Sequence, residues 1–417
     1  MSTLNDPGTR AGGTEPRWML FACFALLLVG LHLTVAPKVR LSQWQVHAES
    51  NAALEEALRW REGSLGLRLN DYEVARVGEV RYNVFGLAFV LISLVGTTLT
   101  TLTGGPPGTF YPPYYVAMVA LPLVLAAYGA FRVQTRSSAW GAVLAGSLIV
   151  GTSLLHVLQR CGGAQGGSVN FINQVLAVTG LLIFAADFLG PRRMWPALLG
   201  LALAAWSRQM TAFYALPLLG MTFMGIPAGP NPKGRRGIVL VGLGVLAAVP
   251  LTLNTLKFGN PFETGYGRIY EGRTDSIGRS GQEKLFGLRY VPVHLRAMNT
   301  AFPSWDIRAG TLYPDVADVN GGSIWLTTPL LFAVLLTLPR WWKDRPRRWL
   351  MLATLPVIAG LACYHTTGAM GAGCYRYSLD FIPIWLVVIA PYVTTGRAAA
   401  WTLGCLAYSA LYFNLLP

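Results

Sequence analysis

Few residues in this chain combine a reactive type with a suggestive setting, and most of them lie in two places. The first is Glu49, just ahead of the run Asn51-Ala52-Ala53-Leu54-Glu55-Glu56-Ala57-Leu58-Arg59-Trp60-Arg61-Glu62. A carboxylate near a membrane surface is partly desolvated and can take a proton from an incoming hydroxyl. The plainer use of Glu49 is as a helix N-terminal carboxylate, favoured by the macrodipole. Asp71 and Glu73 are rival acids, with Arg76, Glu79 and Arg81 close enough in sequence to pair with them. The second place is Cys374-Tyr375-Arg376-Tyr377-Ser378-Leu379-Asp380-Phe381-Ile382-Pro383, a fixed cation flanked by tyrosines with a carboxylate one turn on. Arginine suits bidentate capture of a phosphate, and the tyrosines suit a headgroup or a sugar. The plainer reading there is an aromatic-belt anchor with an Arg376–Asp380 ion pair. Arg208 interrupts an apolar stretch, where an arginine needs a cavity, a partner or the interface. Asp187 and His156, near the ends of apolar blocks, read as local pairs and carry no function. No P-loop, dinucleotide fingerprint, H-E-x-x-H or G-x-S-x-G motif is present, so nucleotide, hydride, zinc and serine chemistries lack support.

The elements that must hold these residues are read from hydropathy. The 417 residues are 53% hydrophobic and only 12% charged, against about 25% charged in a soluble domain, and the mean hydropathy is +0.44. No single globular core of this length hides so much apolar surface, which excludes a soluble enzyme. The expectation is an all-α polytopic membrane protein with about ten to twelve crossings. Residues 1–17 form a polar cytoplasmic tail, and 18–36 a retained first span rather than a cleaved signal. Residues 37–83 form a first extracytoplasmic loop with seven basic and seven acidic side chains. Within it, the 51–62 run reads as an amphipathic helix lying at the interface and ended by Gly63, with an apolar stripe of Ala53, Leu54, Ala57, Leu58 and Trp60. Residues 84–256 form a bundle of spans, in which the block at 194–226 is interrupted at Ser207-Arg208-Gln209 and reads as two helices meeting at a polar turn. Residues 257–323 form a second extracytoplasmic loop, with eight basic and seven acidic side chains, and 324–417 the last spans.

Basic clusters between blocks orient the helices. The net charge of +14 sits mostly in such clusters, at Arg192-Arg193, Lys233/Arg235/Arg236 and 340–348, so it is not a nucleic-acid footprint. Residues 189–193, 227–236, 340–348 and 396–397 are then cytoplasmic. Arg132 and Arg136 join them only if residues 84–131 cross an odd number of times. Two apolar blocks lie there, so one of them would have to be re-entrant, broken by Gly104-Gly105-Pro106-Pro107 and Tyr111-Pro112-Pro113. The five cysteines show no C-x-x-C spacing; a Cys161–Cys374 bridge is conceivable, and two unpaired thiols are the favoured reading. No internal repeat is visible, which weighs against transporters built from duplicated halves.

In succession, these stretches resemble the GT-C superfamily of integral-membrane glycosyltransferases, especially bacterial relatives of protein O-mannosyltransferases (family 39-like). Leu54-Glu55-Glu56-Ala57-Leu58-Arg59-Trp60-Arg61-Glu62-Gly63-Ser64-Leu65 resembles the family's helix after the acidic position. Ala205-Trp206-Ser207-Arg208-Gln209 resembles its threonine-arginine-proline segment. Lys257-Phe258-Gly259-Asn260-Pro261-Phe262-Glu263-Thr264-Gly265-Tyr266 resembles the opening of its second outer loop, and 375–383 its late tyrosine-arginine-tyrosine, aspartate, proline patch. The resemblance implies a polyprenyl-phosphate-linked sugar as donor and transfer at the extracytoplasmic face of a bacterial plasma (inner) membrane to a glycan, lipid or protein acceptor. Glu49 would be the base, with Asp71 as the alternative, and Arg376 would hold the donor phosphate with help from Arg208. Tyr266, Tyr375 and Tyr377 would line the substrate cavity. The chain departs from the family in carrying glutamate where aspartate is usual, with no Asp-Asp, Asp-Glu or D-x-D pair in the first loop; whether a divalent metal takes part is left open, and no metal-ligating set is assigned. A lipid or solute transporter, or a non-catalytic subunit on the same scaffold, are the rival readings.

Overall fold

The computed structural model describes residues 15–35, 46–70, 74–161, 169–224, 232–271, 284–301, 304–308, 311–315, 322–368 and 374–415. The described residues are mostly helical, with few in strands. The helices introduced first are α1 (Arg17–Val35), α2 (Ala52–Arg61) and α3 (Leu87–Leu102). Next, α4 (Pro112–Tyr115) and α5 (Leu121–Thr135) run on through a π-turn at Val116–Ala120. Then come α6 (Ser138–Val150), α7 (Leu154–Cys161), α8 (Val169–Leu189), α9 (Trp195–Ser207), α10 (Ala215–Met224) and α11 (Pro232–Phe258).

Among the described residues, four helical segments are long and apolar enough to cross a membrane: Arg17–Val35, Pro112–Thr135, Val169–Leu189 and Arg236–Phe258. Counting α6 and α7 as one span, bent by 65°, makes five. Fewer segments qualify than there are apolar blocks, because several blocks are interrupted by breaks in the helix. The block at 324–339 is split into Ile324–Thr327, Pro329–Leu331 and Phe332–Leu336, and Ile382–Val393 reaches only 12 residues.

Burial divides the spans by role. The α8 window is 78% buried, whereas those of α1 and α11 are 6% buried. An apolar helix buried on all sides is a core element, and one left bare needs lipid around it. The centre of the bundle is therefore α8, packed most closely on α9. The two helices meet at Gly180 and Gly200, where a Cβ on either would run into the other's carbonyl oxygen; small residues allow such backbone approach inside apolar surroundings.

The strands are short and antiparallel: β1 (Val46–His47) with β4 (Thr109–Phe110), β2 (Val74–Val77) with β3 (Val80–Asn83), and β5 (Ser304–Arg308) with β6 (Thr311–Asp315). The first pairing decides how α3 lies. At its start, Gly86 abuts Trp206 and Ser207, and Phe85 packs edge-on to Tyr266 at 5.8 Å. At its middle, Arg61 of α2 donates to Leu94 O (2.5 Å) and Thr97 Oγ1 (2.7 Å). Beyond its end, Ala48 N–H donates to Gly108 O at 2.9 Å, beside the pairing of Val46 with Phe110. The first polar stretch thus lies against α3 from its middle to beyond its end. At 16 residues, α3 is about 24 Å long, short of the roughly 30 Å of bilayer hydrocarbon.

Candidate functional site

The site is built around a helix break. Helix α9 ends at Ser207, Arg208 is extended (φ −141°, ψ 105°), and a 3₁₀ turn follows at Gln209–Tyr214. Thr211 Oγ1 donates to Arg208 O at 2.7 Å and fixes the break. Here the guanidinium meets Asp380, with Nε 3.1 Å from Oδ1 and Nη2 2.8 Å from Oδ2. The Asp380 backbone oxygen also accepts from Tyr214 Oη at 3.0 Å. The expected Arg376–Asp380 pair is therefore replaced by Arg208–Asp380. Residues Arg376–Asp380 form a 3₁₀ turn, in which three residues complete a turn, so positions four apart diverge.

Arg376 is placed differently. Its guanidinium carbon lies 4.7 Å from the centroid of Phe171 and 5.3 Å from that of Tyr377, and Arg208 stacks on the same Tyr377 at 4.8 Å. Gln174 Nε2 donates to the Arg376 backbone oxygen at 3.1 Å. Among the described residues, the Arg376 side chain meets no carboxylate and donates no hydrogen bond, and its Nε is fully enclosed. Gly368, at φ +66°, closes over the pair: a Cβ there would sit 2.6 Å from Tyr377 Cζ and 2.9 Å from Arg376 Nε.

Around the arginines stands a ring of tyrosines and histidines. Tyr375 and Tyr377 are 6.2 Å apart, Tyr377 and Tyr364 6.1 Å, and Tyr364 and His365 4.6 Å. Tyr266 is close enough that its phenol acts electrostatically on both Arg208 and Tyr364. His294, in the short helix Val291–Leu295, bonds Tyr364 O through Nε2 (2.8 Å) and Tyr375 Oη through Nδ1 (2.7 Å). A carbonyl can only accept, so Nε2 carries the proton and Nδ1 accepts from Tyr375. Burial pushes the His294 imidazole below its ordinary range, against the opposing pull of the Tyr364 carbonyl. His365 Nε2 lies 3.0 Å from Tyr270 Oη. Neither histidine is singled out by sequence. No spacing links His294 to a tyrosine 81 residues away; the one usable signal is a polar side chain inside Val291-Pro292-Val293-His294-Leu295.

The structure thus brings together Arg208, Arg376, Tyr266, Tyr375 and Tyr377. Glu49 is not among them. It is exposed on the 3₁₀ turn Ala48–Ser50, with no hydrogen bond or ion pair to a described residue. Asp71 and Glu73 lie outside the described residues.

Helix α2 forms where sequence places it, capped by Asn51 Oδ1, which accepts from Ala53 N–H (3.1 Å) and Leu54 N–H (3.0 Å), and it is followed by Gly63 at φ +73°. Its polar face is not solvated, which corrects the picture of a helix lying amphipathically at a surface. Glu55 is enclosed by the loop that follows, accepting from the N–H groups of Arg68, Leu69 (2.7 Å) and Asn70 (2.9 Å) and from Asn70 Nδ2 (2.7 Å). Glu56 is buried against Lys257 Nζ at 2.6 Å and Asn83 Nδ2 at 2.8 Å. These donors are what permit two carboxyl groups to be enclosed. His156 and Asp187 also separate. Asp187 accepts from the N–H groups of Arg193 (3.1 Å) and Met194 (2.9 Å) and pins the turn after α8. His156 is buried with Nδ1 unpartnered.

All five cysteines are free, and Cys161 and Cys374 are buried. Among the described residues, no three His, Cys, Asp or Glu side chains gather as a metal site would require. No protein family, curated protein or solved structure matches this chain. Its function must be argued from the site alone.

Proposed function

We propose that this chain is a multi-pass membrane glycosyltransferase that moves a sugar from a polyprenyl-phosphate donor to an acceptor hydroxyl at the outer face of a bacterial plasma membrane. The observation that carries the reading is the contrast at Tyr377: Arg208 is matched by Asp380, while Arg376 is buried beside it with no carboxylate among the described residues. A buried, unmatched guanidinium framed by tyrosines is suited to a phosphate. In the reaction, Glu49 takes the acceptor proton and the acceptor oxygen bonds the anomeric carbon with inversion. The carbon–oxygen bond to phosphate breaks, and Arg376 neutralises the charge left on the departing polyprenyl phosphate. The scaffold of this reading is GT-C-like, with ten to twelve crossings and two outer stretches. The lie of α3 supports it: an α3 that runs along the first outer stretch leaves Pro112–Thr135 as the one crossing before Arg132 and Arg136, the odd count their cytoplasmic placement needs.

The test is transfer of labelled hexose from polyprenyl-phosphate-hexose by the purified protein in nanodiscs, with bacterial envelope extract as acceptor. Transfer lost in Arg376→Ala and in Glu49→Gln supports the assignment; full activity in either variant removes that residue from it. A non-catalytic, lipid-phosphate-binding subunit is favoured by one observation, that Glu49 touches no residue of the arginine–tyrosine cluster among the described residues. Binding of the lipid without transfer would establish that second reading.

A further inference from the structure

Three buried side chains on the two helices that pack against the Arg376 turn carry polar atoms with no hydrogen-bond partner among the described residues. Helices α7 and α8 both pack against the Arg376–Asp380 turn. On α7, His156 is 6% exposed with Nδ1 unpartnered, and Arg376 is one of the two cations acting on it. On α8, Gln174 is 1% exposed; its Nε2 holds the Arg376 backbone oxygen, while its Oε1 has no donor. The adjoining Asn173 is 2% exposed, and neither its Oδ1 nor its Nδ2 has a partner. Arg376 itself is 7% exposed with Nε unpartnered. Most buried polar atoms in native proteins are bonded, and a cluster of exceptions calls for a missing partner.

The chemistry of the orphans identifies that partner. A phosphate alone would engage only donors. Here two amide oxygens are pure acceptors, an amide nitrogen and the guanidinium nitrogen are donors, and an imidazole nitrogen serves either way. Mixed donors and acceptors next to a cation match hydroxyl groups carried on an anion. We infer that His156, Asn173 and Gln174 form a glycosyl subsite that reads the sugar hydroxyls of a lipid phosphosugar whose phosphate sits on Arg376. This rests on the glycosyltransferase reading and adds which residues select the sugar.

The experiment compares two ligands on the full-length protein in nanodiscs: polyprenyl phosphate, and the same lipid bearing a hexose. The wild type is expected to prefer the sugar-bearing lipid. Asn173→Leu and His156→Phe should each lower that preference about tenfold, the effect of one lost hydrogen bond to a hydroxyl, while affinity for the sugar-free lipid stays within about twofold. Asn173→Leu keeps the branched shape and heavy-atom count of the side chain, so a folding defect in the histidine variant leaves the test intact. An unchanged preference in both variants overturns the subsite but not the phosphate assignment. Undiminished binding of both lipids by Arg376→Ala overturns the underlying reading instead.

Discussion

The first polar stretch and the Arg376–Asp380 turn both hide charge, and they do so in opposite ways. In the first stretch, Glu55 has three backbone N–H groups and an asparagine amide, and Glu56 has Lys257 and Asn83. Nothing is left over for a ligand. At the turn, Arg208 is matched by Asp380, but Arg376, which shares Tyr377 with it, has no such partner among the described residues. Buried charge alone therefore does not mark a functional residue in this protein. Matched charge is framework, and the arginine with no carboxylate among the described residues is where the proposed donor phosphate would bind.

The contrast is sharpest in Asp380→Ala, which leaves Arg208 largely enclosed without its carboxylate. A broken buried pair costs about 3–5 kcal/mol, so the apparent melting temperature in detergent should fall steeply. Arg376→Ala removes no ion pair and should shift it far less; equal losses would erase the distinction between the two arginines. Lys257→Met should cost about 3 kcal/mol by stranding Glu56, and adding Glu56→Leu should restore most of it. A double variant no better than the single would mean that the pair does more than balance charge. His294 offers a smaller, pH-dependent handle. Its folded pKa lies below the ordinary 6.5, so in that window the unfolded chain binds more protons and stability rises with pH. Stability is full above about pH 6.5 and is lost as pH falls through the lowered value. Melting curves of His294→Phe against pH should lack this component, and an identical pH profile would contradict it. The smallest effect is expected for Glu49→Ala, within about 0.5 kcal/mol because the side chain is exposed and unbonded. A larger shift in melting temperature would reassign Glu49 to the framework.

Sequence reading goes far where one residue's setting is local. The helix at 51–62 with its glycine stop, the break at Ser207-Arg208-Gln209 and the apolar blocks at 114–131, 169–188 and 237–256 follow from propensity, capping and hydropathy, all of which act over a few residues. It stops where partners are distant. Glu55 and Glu56 look like the solvated face of a helix until residues 68–70, Asn83 and Lys257 fold over them. Asp380 looks like a partner for Arg376 because helical spacing is assumed, and a 3₁₀ turn redirects it to a residue 172 positions earlier. The same limit hides His294, and it makes His156 look like a local pair when it lies buried beside Arg376.

That separation between Arg208 and Asp380 also has a meaning in time. A ribosome adding about 5–20 residues per second needs on the order of ten to thirty seconds to travel from one to the other. Throughout that interval the nascent chain holds an arginine at a helix break with no carboxylate to receive it. The segment that carries Asp380, in the last tenth of the polypeptide, therefore closes a pair that Arg208 opens much earlier.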